Sequence, residues 1–153
     1  MKRVIFGSNS NSRLQDITLL FGRVSLGIVL IAHGWQKFAV DGIDGVGQWF
    51  GSLGIPMPIA AAAFAATVEL LGGILLILGL AVRVVGPLIA IDMLGAFIFV
   101  HAANGLFVID GGWEFVLVVA TLALVIAGLG AGRIAVDPLI VGRRVQQAEH
   151  AAV

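Results

Sequence analysis

The sequence predicts an all-α integral membrane protein: a bundle of four transmembrane helices, both termini cytoplasmic, with a short amphipathic interfacial helix in the first outer loop. Three observations predict it. First, 59% of the 153 residues are hydrophobic and only 12% are charged. An ordinary soluble domain is roughly 45–50% apolar and about 25% charged. A soluble chain of this length has too little interior for so much apolar surface, and disordered segments are polar. Second, four apolar windows, 17–38, 58–80, 84–103 and 112–129, approach the roughly 20 residues that a membrane helix needs. Third, the basic residues segregate to one side of those windows. Residues 1–153 read as a single membrane domain, with 145–153 as a short flexible tail.

Each element has its own signals. The first window is too long for a cleavable signal, carries Arg23, and lacks a small-residue cleavage site after it. It ends at Asp41-Gly42 and Asp44-Gly45. Val46, Trp49, Phe50 and Leu53 then follow i, i+3, i+4, i+7 spacing, which predicts an amphipathic helix lying on the outer surface. Pro56 and Pro58 break the chain. Pro58 opens the second span, where a missing N–H costs little. Arg83 separates spans two and three, and Pro87 falls in the first turn of the third. Asn104-Gly105 and Asp110-Gly111-Gly112 mark the last break. The runs are continuously apolar rather than alternating, which argues against a β-barrel.

Lys2, Arg3, Arg13, Arg83, Arg133, Arg143 and Arg144 are seven of the nine basic residues. All fall on the side shared by the termini, which the positive-inside rule makes cytoplasmic. The outer loops hold Asp41, Asp44 and Asp110. Trp35, Phe38, Trp49, Phe50, Phe107, Trp113 and Phe115 form the expected aromatic belt at the outer interface.

Composition also excludes function classes. The formal net charge is zero, so nothing points to nucleic acid. Cysteine is absent, which removes disulfides, thiolate metal sites and any thiol relay carried by this chain. No metal site is expected, and Walker and dinucleotide signatures are missing.

Ionisable residues inside a membrane are functional candidates by default. At about 1.5 Å rise per residue, Arg23 lies about 9 Å from the inner end, Asp92 about 12 Å and Glu69 about 16 Å. His33 and His101 lie at about 25 Å. Lys37 and Glu114 lie near the outer surface. Arg23, His33 and Lys37 fall within about 80° of arc on span one, with Gly27 and Gly34 beside them. On span two, Ala62, Ala66, Glu69 and Gly73 share a stripe, with Ala65 and Gly72 adjacent. Glu69 is therefore expected at a close-packed interface, with Arg23 as its partner. Asp92 and His101 are about 180° apart on an ideal helix and meet in one pocket only if the helix is distorted between them. Arg23 and Lys37 against Glu69, Asp92 and Glu114 leave one excess negative charge, so the set is expected to take up a proton. Each residue also has a plainer reading. Arg23 can snorkel to the interface, and Glu114 can complement a helix N-terminus. Glu69 can be a structural partner, and Asp92 a carboxylic acid bonded across helices.

The ordered motifs resemble the DoxX family of small four-helix bacterial membrane proteins. The carriers are Arg23 with His33-Gly34-x-x-Lys37, then Leu53-Gly54-Ile55-Pro56, then Glu69-Leu70-Leu71-Gly72-Gly73. His101, Gly111-Gly112-Trp113-Glu114, and Gly130-Ala131-Gly132-Arg133 followed by Asp137 complete the set. The resemblance covers roughly 17–140. Two departures stand out: Ala135 occupies a position usually held by serine, and Asp92 lies outside the pattern. The family takes its name from a membrane subunit of a thiosulfate:quinone oxidoreductase. A relative is linked to a membrane oxidoreductase complex with superoxide dismutase and a sulfurtransferase.

The resemblance implies a quinone-linked redox subunit acting with a partner protein, in a complex or homo-oligomer within the lipid bilayer. The expected catalytic residues are His33, Lys37, Glu69, His101 and Glu114. The expected cofactor-binding residues are Arg23, His33, His101 and Trp113. The expected cofactor is a quinone, menaquinone or ubiquinone. Two histidines at one depth also suit axial ligation of haem b, but no other residue supports haem. The alternatives are a proton-coupled transporter or small-molecule binder, and a non-catalytic membrane scaffold.

Overall fold

The computed structural model describes residues 12–140. Every regular element among them is helical. Helix α1 (Ser12–Trp35) continues into a π-helical segment, Gln36–Val40. Helix α2 (Ile43–Ser52) follows, then α3 (Pro58–Leu78). Helix α4 (Val82–Ala96) also runs into a π-helical segment, Phe97–His101. Two short 3-10 turns, Ala102–Asn104 and Val108–Asp110, lead to α5 (Glu114–Leu129). Three stretches, Arg13–Val40, Pro58–Leu78 and Val82–Asn104, are long and apolar enough to cross a membrane. Glu114–Leu129 is a fourth, shorter apolar helix. Lys2, Arg3, Arg143, Arg144 and the expected tail 145–153 lie outside the described residues.

The element starts follow the local chemistry. Pro58 occupies the first turn of α3 as expected. Pro87 lies deeper in α4 than expected, because that helix already begins at Val82. The chain turns at Leu53-Gly54-Ile55, where the Ile55 N–H reaches back to the Phe50 carbonyl at 3.1 Å.

Helix α1 packs most extensively on α3, and α4 on α5. Glycines make both approaches possible. A Cβ on Gly27 would lie 2.6 Å from the Gly73 carbonyl oxygen, and one on Gly86 would lie 2.5 Å from that of Ala123. Close backbone approach through small residues is how membrane helices gain packing energy without a hydrophobic driving force. The expected small-residue stripe of α3 is buried: Ala62, Ala65, Ala66, Glu69, Gly72 and Gly73. Leu76, Val82, Ile89 and Ala123 fill the core between the helix pairs. Phe21, Ile28, Leu71, Ile91 and Val118 are exposed on the outside of the bundle, as suits a lipid-facing surface.

We call the end carrying 36–57 and 102–113 the upper end, and the opposite end the lower. A latch closes the lower end. The Arg23 side chain is fully buried. Its guanidinium donates to the Ile134 carbonyl at 2.5 Å and the Leu76 carbonyl at 3.5 Å. Asp137 accepts the Ala81 N–H at 2.9 Å and donates its own N–H to the Gly79 carbonyl at 3.1 Å. This holds Ala81 in a left-handed conformation, φ 53°, which costs a non-glycine residue about 1–2 kcal/mol. Asp16 accepts from the Arg133 backbone N–H at 2.9 Å and from its Nε at 2.6 Å. Ala135 packs its methyl against the core. The segment 130–137 thus ties α1 to the α3–α4 turn.

Candidate functional site

The upper end holds a cavity of about 500 Å³ between the two helix pairs. Five ionisable side chains line it: His33, Lys37, Glu69, Asp92 and His101. Aromatic rings supply much of the remaining wall, from Trp49 and Phe50 on α2, Phe64 on α3, Phe99 beyond α4, and Phe115 on α5.

The strongest polar contact is between Lys37 and Glu69. Lys37 Nζ lies 2.6 Å from Glu69 Oε2. Both side chains are shielded, 19% and 7% exposed, so this is a charge-assisted hydrogen bond in a low-dielectric setting. The expected Arg23–Glu69 pair does not form. The crossing at Gly27 and Gly73 sets the register of α1 against α3. That register brings Lys37 level with Glu69 and sends Arg23 down to the Leu76 carbonyl.

Asp92 is 9% exposed, and its Oδ2 has no hydrogen-bond partner. It is close enough to Glu69 and Lys37 to feel the charge of both. The structure resolves how Asp92 and His101 share one cavity. The helix between them changes from α to π at Phe97. A π segment adds about one residue per turn, which rotates later side chains by about 100° relative to an α-helix. The distortion needed to bring these two residues together is therefore present.

His101 Nδ1 lies 2.6 Å from the Gly111 carbonyl oxygen. A carbonyl only accepts, so Nδ1 carries the proton and Nε2 is the acceptor of the neutral ring. The His33 ring packs against Phe115, centroids 5.7 Å apart.

Three expected site residues lie elsewhere. Arg23 belongs to the lower latch. Glu114 Oε1 accepts the Val108 N–H at 2.7 Å, which ties the 3-10 turn to the start of α5. Trp113 packs edge-on against Phe97, centroids 6.0 Å apart, beside the core. Conversely, the walls from α2 were not anticipated. Its apolar face packs inward: Val46 and Phe50 are buried with Ala62 and Ala65 of α3, and Trp49 borders the cavity. The spacing of apolar residues reveals that face but not which surface covers it.

A bundle of apolar helices around a cavity lined by ionisable residues is that of a multi-pass membrane protein. Comparison with known proteins makes this particular. The DoxX family pattern matches residues 18–102, and the chain belongs to the DoxX family. It is 35% identical over 125 residues to the "Putative oxidoreductase CatD" of Bacillus subtilis, covering 82% of this chain and 88% of that protein. It is 33% identical over 87 residues to the inner membrane protein YphA of Escherichia coli, covering 57% and 61%. It is 30% identical over 125 residues to an uncharacterized membrane protein of Mycobacterium tuberculosis, covering 75% and 76%. No solved structure matches the chain.

Proposed function

We propose that the chain is a quinone-linked redox subunit of a plasma-membrane oxidoreductase complex, with the upper cavity as its quinone-headgroup site. Four membrane crossings with cytoplasmic termini put that cavity near the outer surface. The observation that carries the reading is the make-up of the cavity: aromatic walls, a shielded Lys37–Glu69 pair, and a buried Asp92 without a bonding partner. Its volume falls within the range of small-molecule sites, roughly 300–1,000 Å³. Aromatic walls suit a planar ring. A relative named as an oxidoreductase points the same way.

A bound quinone supplies a couple of two electrons and two protons. The chain's own residues hold the ring and manage protons. Glu69 fixes the Lys37 ammonium, which suits a ligand oxygen. The Gly111 carbonyl fixes the His101 ring and leaves Nε2 to take or give a proton. Asp92 and His33 are the other proton carriers on the wall. The chain has no cysteine and no flavin or iron–sulfur signature, so electrons come through a partner protein. Menaquinone and ubiquinone share the ring chemistry that this site would hold.

Two further readings fit less well. Below the cavity the bundle is filled by Leu76, Ile89 and Ala123, each with no exposure, which favours a binding site over a passage. A purely anchoring role leaves the unpartnered Asp92 without a purpose. The test is purification in native-lipid nanodiscs, followed by solvent extraction and mass spectrometry. Quinone enriched over the bulk membrane extract, and lost with Lys37→Met, is the expected result. Quinone at the bulk ratio overturns the reading.

A further inference from the structure

We propose that Asp92 makes the cavity selective for the hydroxyl-bearing, reduced form of its ring ligand over the carbonyl-bearing, oxidised form. This rests on the headgroup reading above and adds to it a residue and a preference between redox forms.

Lys37 is already bonded to Glu69 at 2.6 Å, and His101 Nδ1 to Gly111 at 2.6 Å. Asp92 lines the same cavity, is 9% exposed, and keeps an unpartnered carboxyl oxygen. A hydroxyl group donates and accepts, whereas a quinone carbonyl only accepts. A carboxylate only accepts, and a carboxylic acid does both. A ring hydroxyl therefore satisfies Asp92 in either protonation state. A ring carbonyl satisfies only the protonated state, and against a carboxylate it sets two acceptors face to face. The two redox forms have the same ring and nearly the same size, so the aromatic walls do not separate them. The remaining Lys37 N–H groups serve a hydroxyl and a carbonyl oxygen alike, so discrimination falls to the acceptors on the wall, of which Asp92 is the buried one with an unpartnered oxygen. A buried polar group left unpaired separates close analogues far better than apolar contact does.

The test uses the full chain in nanodiscs under anaerobic conditions, with three probes. They are a short-tailed alkyl hydroquinone, its redox-inert dimethyl ether, and the matching quinone. Hydroquinone is expected to bind about tenfold or more tightly than either of the others. Asp92→Asn is expected to remove the gap between hydroquinone and quinone, since an amide N–H donates to a carbonyl. Asp92→Leu is expected to weaken hydroquinone while leaving the ether unchanged. Equal binding in the unaltered chain overturns the inference even if a variant fails to fold, and where Asp92→Asn fails to fold Asp92→Leu assigns the gap to Asp92. Equal binding of hydroquinone and quinone, or a gap that persists in Asp92→Asn, overturns the inference and leaves the headgroup site standing. Binding of none of the three overturns the headgroup reading, and the inference with it.

Discussion

The two ends of the bundle use buried charge in opposite ways. At the lower end Arg23, the most enclosed charged residue, gives its guanidinium to the carbonyls of Leu76 and Ile134, while Asp137 and Asp16 hold backbone N–H groups. That end is full. At the upper end Lys37 and Glu69 pair, Asp92 remains without a partner, and a cavity of about 500 Å³ stays open beside them. An unpartnered atom on a buried charge occurs at both ends, and what separates them is the cavity that Asp92 lines and Arg23 does not. A charge enclosed by the fold away from that cavity, as Arg23 is, belongs to the frame.

Breaking the lower end has the largest expected effect on stability. Arg23→Ala removes a fully buried side chain and leaves two carbonyls without their donor. It is expected to cost about 3–5 kcal/mol, read as a lowered unfolding midpoint in detergent. Ligand binding by the fraction that remains folded is expected to be unchanged. Arg23→Lys is a poor rescue, because a point ammonium cannot span the geometry of a planar fork.

The Lys37–Glu69 pair sharpens the comparison next. Glu69→Ala strands a shielded ammonium and is expected to cost about 2–4 kcal/mol. Replacing both residues with methionine is expected to recover most of that stability, because no charge is then left unpaired. Ligand binding stays lost in the double variant. A double-mutant cycle with melting and binding run in parallel separates the two effects.

Trp49→Ala acts on the cavity wall contributed by α2. Its side chain is 49% exposed, so stability changes little. Ligand affinity is expected to fall about tenfold, roughly 1.4 kcal/mol. The smallest effect is at Asp16. Asp16→Asn loses the ion pair to Arg133, in which the Arg133 side chain is 66% exposed and that of Asp16 10%, but keeps an amide oxygen for the Arg133 backbone N–H. A pair open to solvent on one side only is expected to contribute about 1 kcal/mol, the upper end for exposed pairs. The loss is expected to shrink further in high salt, with ligand binding untouched.

Much of the fold was legible in the sequence, because runs of apolar residues report membrane helices directly. Windows 58–80 and 112–129 lie on α3 and α5, and 17–38 and 84–103 lie on α1 and α4 with their π segments. The stripe around Glu69 was legible too, since small residues at helical spacing mark a close interface. The partner of Glu69 was not. Depths counted from window ends misplace two antiparallel helices by a turn or more, and the Gly27–Gly73 crossing sets their true register. The π segments at Gln36–Val40 and Phe97–His101 were equally hidden. Ideal helical phase showed that Asp92 and His101 needed a distortion, but nothing in the residues located one. The role of α2 as a wall depends on which surface covers its apolar face, which only the tertiary fold decides.

The most direct test of the central claim, that the upper cavity is the ligand site, uses tryptophan fluorescence. Of Trp35, Trp49 and Trp113, Trp49 is the one on the cavity wall. Titrating a short-tailed quinone into the nanodisc-embedded protein is predicted to quench fluorescence saturably. Trp49→Phe should remove most of the saturable part, and Trp35→Phe should leave it in place. Quenching that rises linearly without saturation, or that is unchanged in Trp49→Phe, would contradict the claim.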